Sequence, residues 1–552
     1  LQQLHLTVHF GTGKEVNNHL TVFRNRRNIM RKKLMALLLA ASMVVGMTAC
    51  GSNKNGGSST NSASKVSGEY DEKEFNGIKY KKAKDITKDN IELTYYHFDQ
   101  DETVQYLADR FQEIYPNIKV HVKYQAVSKY NDSLLTMVSN KESPDVIMFS
   151  DADFALSNML VQDISSYWNS DPETKELAST VNDCGLGCYG TDKRYAVPVK
   201  FFPGVMYVDR NVLTQLNVKE PARNWTWDDM IKLIKDCTVK KSSDGMAYYG
   251  CGYYNRLDSY YGIAAKQTVQ GEFGFDGTQF DLSAWAKGEQ QFAELKQGGY
   301  IAPQTQTLDM ENWMGSADAW CGASSHVALF TEAFWTYQGT WATKAFKKYN
   351  LDIVPYVIPA VSKDDATKDH HSIATIDFGG VTTSCKYPRE AYELLKFMSF
   401  GQDGWKTRIE LYNDETQKNS KGLALKYDVM PAPITTNSEI WDDYIKMYCK
   451  GMDDEHVKLW KEYFASCMQP IPYGWTSIAG YWNYCNEYFN KIDIHTKVDS
   501  GEKKAADYVD EATSKANYYH AKAMLKYFGK SGYNVLSDED VAKYEKMEKE
   551  NK

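Results

Sequence analysis

After Cys50 the chain contains no apolar run approaching the roughly 20 residues a membrane-crossing helix needs, so no later segment is expected to span a bilayer. Cysteine provides no framework either. Nine follow Cys50, at 184, 188, 237, 251, 321, 385, 449, 467 and 485, an odd number without metal-ligand spacing. Cys184 and Cys188 could bridge locally or sit in a zinc site, but no histidine lies near them, so buried free thiols are expected and no metal or cofactor is implied. There is no P-loop, no G-x-S-x-G and no H-E-x-x-H, which leaves no recognisable catalytic device. Basic charge is also short. Removing residues 1–49 takes away seven of the 64 Lys/Arg and one of the 72 Asp/Glu, leaving a net charge of −14. Nucleic acid and anionic surfaces are poor partners for such a chain.

What is present begins at Met30. The stretch MRKKLMALLLAASMVVGMTAC sets three basic residues before an uncharged run, Leu34 to Ala49, too short to remain in a membrane as a spanning helix. It reads as a secretory signal. Met47-Thr48-Ala49-Cys50 resembles the lipobox of bacterial lipoproteins, with Met47 where Leu is usual. That resemblance implies cleavage before Cys50 and lipid on its sulfur. Residues 1–29 read as an over-extended upstream segment and 30–49 as the signal. Residues 51–68, with only Ala63 and Val66 apolar, form a flexible tether with a reach of about 23 Å. The segment from Tyr70 to Asn90 reads as charged and irregular.

About 500 mature residues exceed what one core supports, so at least two lobes are expected. From Ile91 the pattern is strand (Ile91–Tyr96), helix (Val104, Leu107, Ala108, Phe111, Ile114, stopped by Pro116), strand (Ile118–Tyr124), helix (Leu134, Leu135, Val138) and strand (Val146–Phe149). Short connections imply parallel pairing with right-handed crossovers, and ligands approach the carboxyl ends of such strands. That puts His97, Asp99, Asp151 and Asp153 on one rim. Thr226 is expected to cap a helix carrying Asp228 and Asp229. Gly379-Gly380 reads as a tight turn, His370-His371 as surface histidines, and Pro355 and Pro359 as flanking a strand.

LADRFQEIYPNIKVHV, SPDVIMFSDADF and MLVQDIS, between Thr103 and Asp163, resemble the family 1 extracellular solute-binding proteins, which feed sugars to ABC importers. The resemblance continues in the same order through residues 195–213, 224–237, 326–335, 353–360, 379–399 and 430–435. It implies a type II periplasmic-binding-protein-like α/β fold: two lobes, each a mainly parallel sheet flanked by helices, with the ligand cleft between them. Lobe one is expected over 88–200 and 363–412, lobe two over 201–362 and 413–552, and 50–87 precede them. It further implies a non-catalytic, monomeric receptor partnered by a carbohydrate and ABC permease subunits. The receptor would be held by lipid on Cys50 at the outer face of a Gram-positive type cell membrane.

Aromatics are the informative excess, at 13% of the chain with 13 Trp and 39 Tyr. Sugar CH faces stack on such rings while sugar hydroxyls need fixed polar partners. The expected ligand-binding set is His97, Asp99, Asp151, Asp153, Lys200, Phe201, Tyr253, Tyr254, Glu332, Phe334, Trp335, Tyr473 and Trp475. Trp335 and Trp475 resemble the family's stacking positions. Two other functions compete: a secreted glycosidase, which needs only two suitably spaced carboxylates, and a peptide or polyamine receptor on the same fold.

Overall fold

The computed structural model describes residues 65–98, 101–149, 152–178, 193–252, 258–265, 273–302, 326–342, 344–348, 350–366, 372–427, 430–468, 471–472, 478–528 and the single positions 539, 542 and 546. Val66 is buried and its amide donates to the Ser170 hydroxyl at 2.9 Å, which corrects the C-terminal end of the tether expected over 51–68; residues 51–64 lie outside the described residues. The supposedly irregular segment after it is a hairpin. β1 (Tyr70–Phe75) and β2 (Ile78–Ala83) pair antiparallel from Tyr70↔Ala83 to Phe75↔Ile78. Asn76 (φ 52°) and Gly77 (φ 78°) turn the chain as the two left-handed residues of a type I′ turn. Arg110 lies 5.3 Å from both the Phe75 and Tyr80 rings, and Asp85 accepts from the buried Arg389 at 2.9 Å, which fastens the hairpin to the helices below it.

The next elements follow in the expected order: β3 (Ile91–His97), α1 (Val104–Ile114), β4 (Ile118–Tyr124), α2 (Val127–Ser139), β5 (Val146–Phe149) and α3 (Ala152–Ser157). α1 buries Val104, Leu107, Ala108, Phe111 and Ile114, one face at helical spacing, and Pro116 prevents its continuation. β3 pairs parallel with both β4 and β5.

β6 (Val197–Asp209) is followed by α4 (Arg210–Leu216), α5 (Trp227–Asp236), β7 (Tyr249–Cys251), α6 (Asp258–Ala265), α7 (Ser283–Gln297), β8 (Val327–Ala333), α8 (Trp335–Ala342), β9 (Ile353–Tyr356) and β10 (Ile373–Val381). Thr226 does cap α5, in a reciprocal pair with Asp229. After β10 come α9 (Pro388–Met398), α10 (Gln402–Asn413), α11 (Ser438–Tyr448), α12 (Asp454–Cys467), β11 (Ile471–Pro472) and α13 (Val509–Phe528).

Nine strands form one sheet in the order β4-β3-β5-β10-β6-β8-β7, with β11 added to β10 and β9 to β6. β6 joins the two lobes. Its first residues, Val197 to Gly204, pair with β10, and its last, Gly204 to Asp209, pair with β8 and β9. Gly379-Gly380 is not a turn but the interior of β10, paired with Met148 and Ile147 of β5. A Cβ on Gly379 would stand 2.7 Å from Val199 Cγ2 and one on Gly380 2.8 Å from the Tyr195 carbonyl, so close packing requires glycine there. Pro355 lies inside β9 opposite Tyr207 rather than flanking the strand, and its carbonyl accepts from Arg223.

A first core packs α1, α9, α10 and the β3–β5 strands and continues to Trp441 and Trp460. A second surrounds Trp225, Trp227 and Tyr356. A third, built from residues 273–293 and 478–516 around Trp285, Phe273 and Tyr484, belongs to a helical subdomain. Cys237, Cys251, Cys385, Cys449 and Cys467 carry free thiols. Cys184, Cys188, Cys321, His370 and His371 lie outside the described residues.

Candidate functional site: the floor between the lobes

Strand direction decides where the lobes face each other. β5 is antiparallel to β10, β10 to β6, and β6 to β8, while β3 runs with β5 and β7 with β8. The carboxyl ends of β3 and β5 therefore point along β6 toward the second lobe, and those of β7 and β8 point back toward the first. Between them β6 and β10 lie side by side.

These crossing strands are buried except at a few positions. On β6 only Phe202 and Gly204 are half-buried; on β10, Thr375 and Asp377; on β8, Thr331, Glu332 and Ala333 at its end. The register brings most of them together: Thr375 is opposite Phe202, Asp377 opposite Lys200, Ala333 opposite Gly204, and Thr331 opposite Met206. Directly opposed residues project to the same face of a sheet. Phe202, Gly204, Thr331, Ala333, Thr375 and Asp377 thus form one open face, which offers an aromatic ring, two hydroxyls and a carboxylate.

Trp335 follows β8 and meets Phe202 edge to face, with ring centroids 5.0 Å apart and planes at 67°. It is half-buried. Its neighbour Phe334 turns the other way, wholly buried against Tyr448 and Phe464, and the Tyr448 hydroxyl donates to its carbonyl at 2.9 Å. The Tyr207 hydroxyl donates to the Ala333 and Phe334 carbonyls, both at 3.2 Å, and so fixes the strand end from which Trp335 departs. Glu332 is opposite Val205 and lies on the other face from Phe202. Burial pushes its carboxyl up to about 7.

His97, at the end of β3, is buried between the rings of Tyr95 (5.8 Å) and Tyr124 (5.6 Å). Lys200 is buried in an ion pair with Asp101, which also accepts from Arg408 at 2.7 Å. Burial works against the Asp101 charge, but Lys200 and Arg408 outweigh it and hold the carboxyl far below the usual range. Phe201 is buried in the first core, and its carbonyl accepts from the Ala432 amide at 2.9 Å. Asp99, Asp151, Tyr253, Tyr254, Tyr473 and Trp475 lie outside the described residues, as does the side chain of Asp153. Their places in the chain are nevertheless alike: Asp99 follows β3, Asp151 follows β5, Tyr253 follows β7 and Tyr473 follows β11, which pairs with β10 at Ile373–Ala374. Sequence reasoning missed Phe202, Thr331, Thr375 and Asp377. Thr375 and Asp377, two apart inside the apolar strand IATIDFGGV, were the available signal.

Among the described residues no three His, Cys, Asp or Glu side chains are grouped as metal ligands, and no helix is long and apolar enough to cross a membrane.

Residues 98–400 match the family of bacterial extracellular solute-binding proteins. An ABC substrate-binding protein from Listeria monocytogenes, solved in complex with cycloalternan, superposes with a TM-score of 0.54 at 18% identity, over 78% of this chain and 98% of its own. The sugar-binding protein MalE from Xanthomonas citri gives 0.56 at 13% identity, over 78% and 98%. A cyclo/maltodextrin-binding protein complexed with maltotetraose gives 0.52 at 16%, over 78% and 97%. At these identities the likeness is one of fold. No curated protein sequence matches the chain.

Proposed function

This chain belongs to the bacterial extracellular solute-binding proteins, and from that membership we propose that its cleft captures a carbohydrate, of oligosaccharide size, for delivery to an ABC permease. The observation that carries the reading is the open patch on otherwise buried crossing strands. The half-buried Trp335, braced by Phe202, stands beside Thr331, Thr375 and Asp377 on the floor between two sets of strand ends. A ring for a sugar face and hydroxyl and carboxylate groups for sugar hydroxyls are what a carbohydrate site needs. His97 is buried at the end of β3, and in chain order Asp99 follows β3, Asp151 and Asp153 follow β5, Tyr253 and Tyr254 follow β7, and Tyr473 and Trp475 follow β11. Glu332, one residue before the end of β8, lies on the face opposite this patch. Phe201 and Phe334 stand behind this surface, while Lys200, on the same face as Phe202, is buried in its ion pair with Asp101. The protein acts without catalysis, as a monomer, and is kept at the outer face of the membrane by lipid on Cys50.

A thermal-shift screen with maltotetraose and other defined glycans, followed by mass analysis of the sugar, tests this. A raised melting temperature with intact sugar is the expected result. Shortened sugar assigns the chain to the glycosidases, and stabilisation only by peptides or polyamines replaces carbohydrate with those ligands.

A further inference from the structure

The helical subdomain around the third core is tied to the rest of the molecule at strand ends that border the cleft. Its first part, from Phe273, comes after α6, which follows the carboxyl end of β7; its second part, from Ile478, follows β11, which ends opposite Ala374, one residue before Thr375 of the cleft floor. α7 holds this part to the second lobe: Phe292 and Leu295 enter the second core alongside Ala264.

α13 then leaves that subdomain. At 20 residues it is about 30 Å long. Ala512 and Ala516, in its first half, belong to the third core, whereas Ala523 and Met524, in its second half, belong to the first core with Tyr527 packed against it. Positions 512, 516, 523 and 527 share one helical stripe, so a single face changes partner part-way along. α13 also meets α3, the helix that directly follows the carboxyl end of β5, and α3 shares the first core with the second half of α13: Ala155 is buried there, with Phe154 and Leu156 packed on it. α13 thereby joins the carboxyl-end rim of the first lobe to a subdomain rooted on the rim of the second, independently of the crossing strands.

We propose that α13 is a latch across one side of the cleft, and that the lobes part, and the cleft exchanges its ligand, only when α13 leaves α3 and Ala523, Met524 and Tyr527 leave the first core. The inference rests on the cleft being the binding site. It adds that entry is controlled by this helical subdomain, so the latch sets the rate of exchange more than the affinity of the contacts inside. A methionine and an alanine suit a contact that must form and release repeatedly, since neither leaves a buried polar group unpaired.

Met524→Asp and Tyr527→Ala separate the latch from the ligand chemistry. Solution scattering of the ligand-free protein is expected to show a larger radius of gyration for Met524→Asp than for wild type, with an unchanged circular dichroism spectrum. Equal radii overturn the latch. If Met524→Asp fails to fold, hydrogen exchange of the wild type decides: residues 520–528 are expected to exchange faster than 509–516, and uniform exchange along the helix overturns the proposal. With maltotetraose as probe, Tyr527→Ala should accelerate dissociation about tenfold, and an unchanged rate in a protein that binds the sugar overturns it. If maltotetraose and the wider glycan set do not bind, the carbohydrate reading falls while the scattering and exchange results still judge the latch.

Discussion

Asp209 ends β6 and caps α4, accepting from the Asn211 amide at 3.0 Å, while its second oxygen has no hydrogen-bond partner and the residue is wholly buried. Burial pushes its carboxyl up to about 7. A raised folded-state value means that the folded chain binds this proton more tightly than the unfolded chain does. The associated stability is fully present below the ordinary value near 4 and is lost as pH rises to about 7. Asn retains the capping oxygen and cannot ionise. Asp209→Asn should therefore gain on wild type between pH 4.5 and 8, by on the order of 2 kcal/mol or more in denaturant titrations. A difference that stays constant with pH refutes the assignment. Phe334 and Trp335 are adjacent yet should respond oppositely. Phe334→Ala removes a buried ring and should cost about 3–5 kcal/mol of stability. Trp335→Ala should melt close to wild type but weaken sugar binding about thirtyfold in calorimetric titration, by analogy with aromatic hot spots. A large fall in melting temperature with binding retained assigns Trp335 to the core.

At the scale of elements, the hairpin β1–β2 and the loop after β3 are each held by buried charge. Asp101 pairs with both Lys200 of β6 and Arg408 of α10, so Asp101→Ala would leave two buried cations without it. That loss should cost about 3–5 kcal/mol, read as a lowered denaturation midpoint, and a change below about 1 kcal/mol would show that the network is dispensable. The hairpin depends on Asn76-Gly77, a dipeptide legible as a turn that the charged composition around it obscured. The crossing strands were harder to read. Gly379-Gly380 suggests a turn by composition, yet the pair is glycine because Val199, Ile147 and Tyr195 leave no room for a Cβ, a requirement set by residues far away in the chain.

For the whole molecule, Val66 is buried and anchored on Ser170, so a lipid on Cys50 would hold the globule from a point 16 residues earlier in the chain. Cys50→Ala should release the protein into the medium with its melting temperature unchanged. Continued membrane attachment of that variant, with no lipid found on the wild type by mass spectrometry, would remove the anchor. The family match stops at residue 400, and the third core and α13 draw much of their substance from the chain beyond it.

Local chemistry was enough to determine the alternation of strands and helices from Ile91 to Phe149 and the Thr226 cap, because each depends on residues close together in the chain, whereas the two-lobed α/β class rested on chain length and on the resemblance to the solute-binding family. The partition of aromatics between core and cleft was not determined that way. Phe334 and Trp335 differ only in which side of a strand end they leave, and Lys200 is committed to Asp101, 99 residues away, which itself pairs with Arg408 across 307 residues. Strand register placed Phe202, Thr375 and Asp377 on one face, and register is a property of paired chains that no single segment carries.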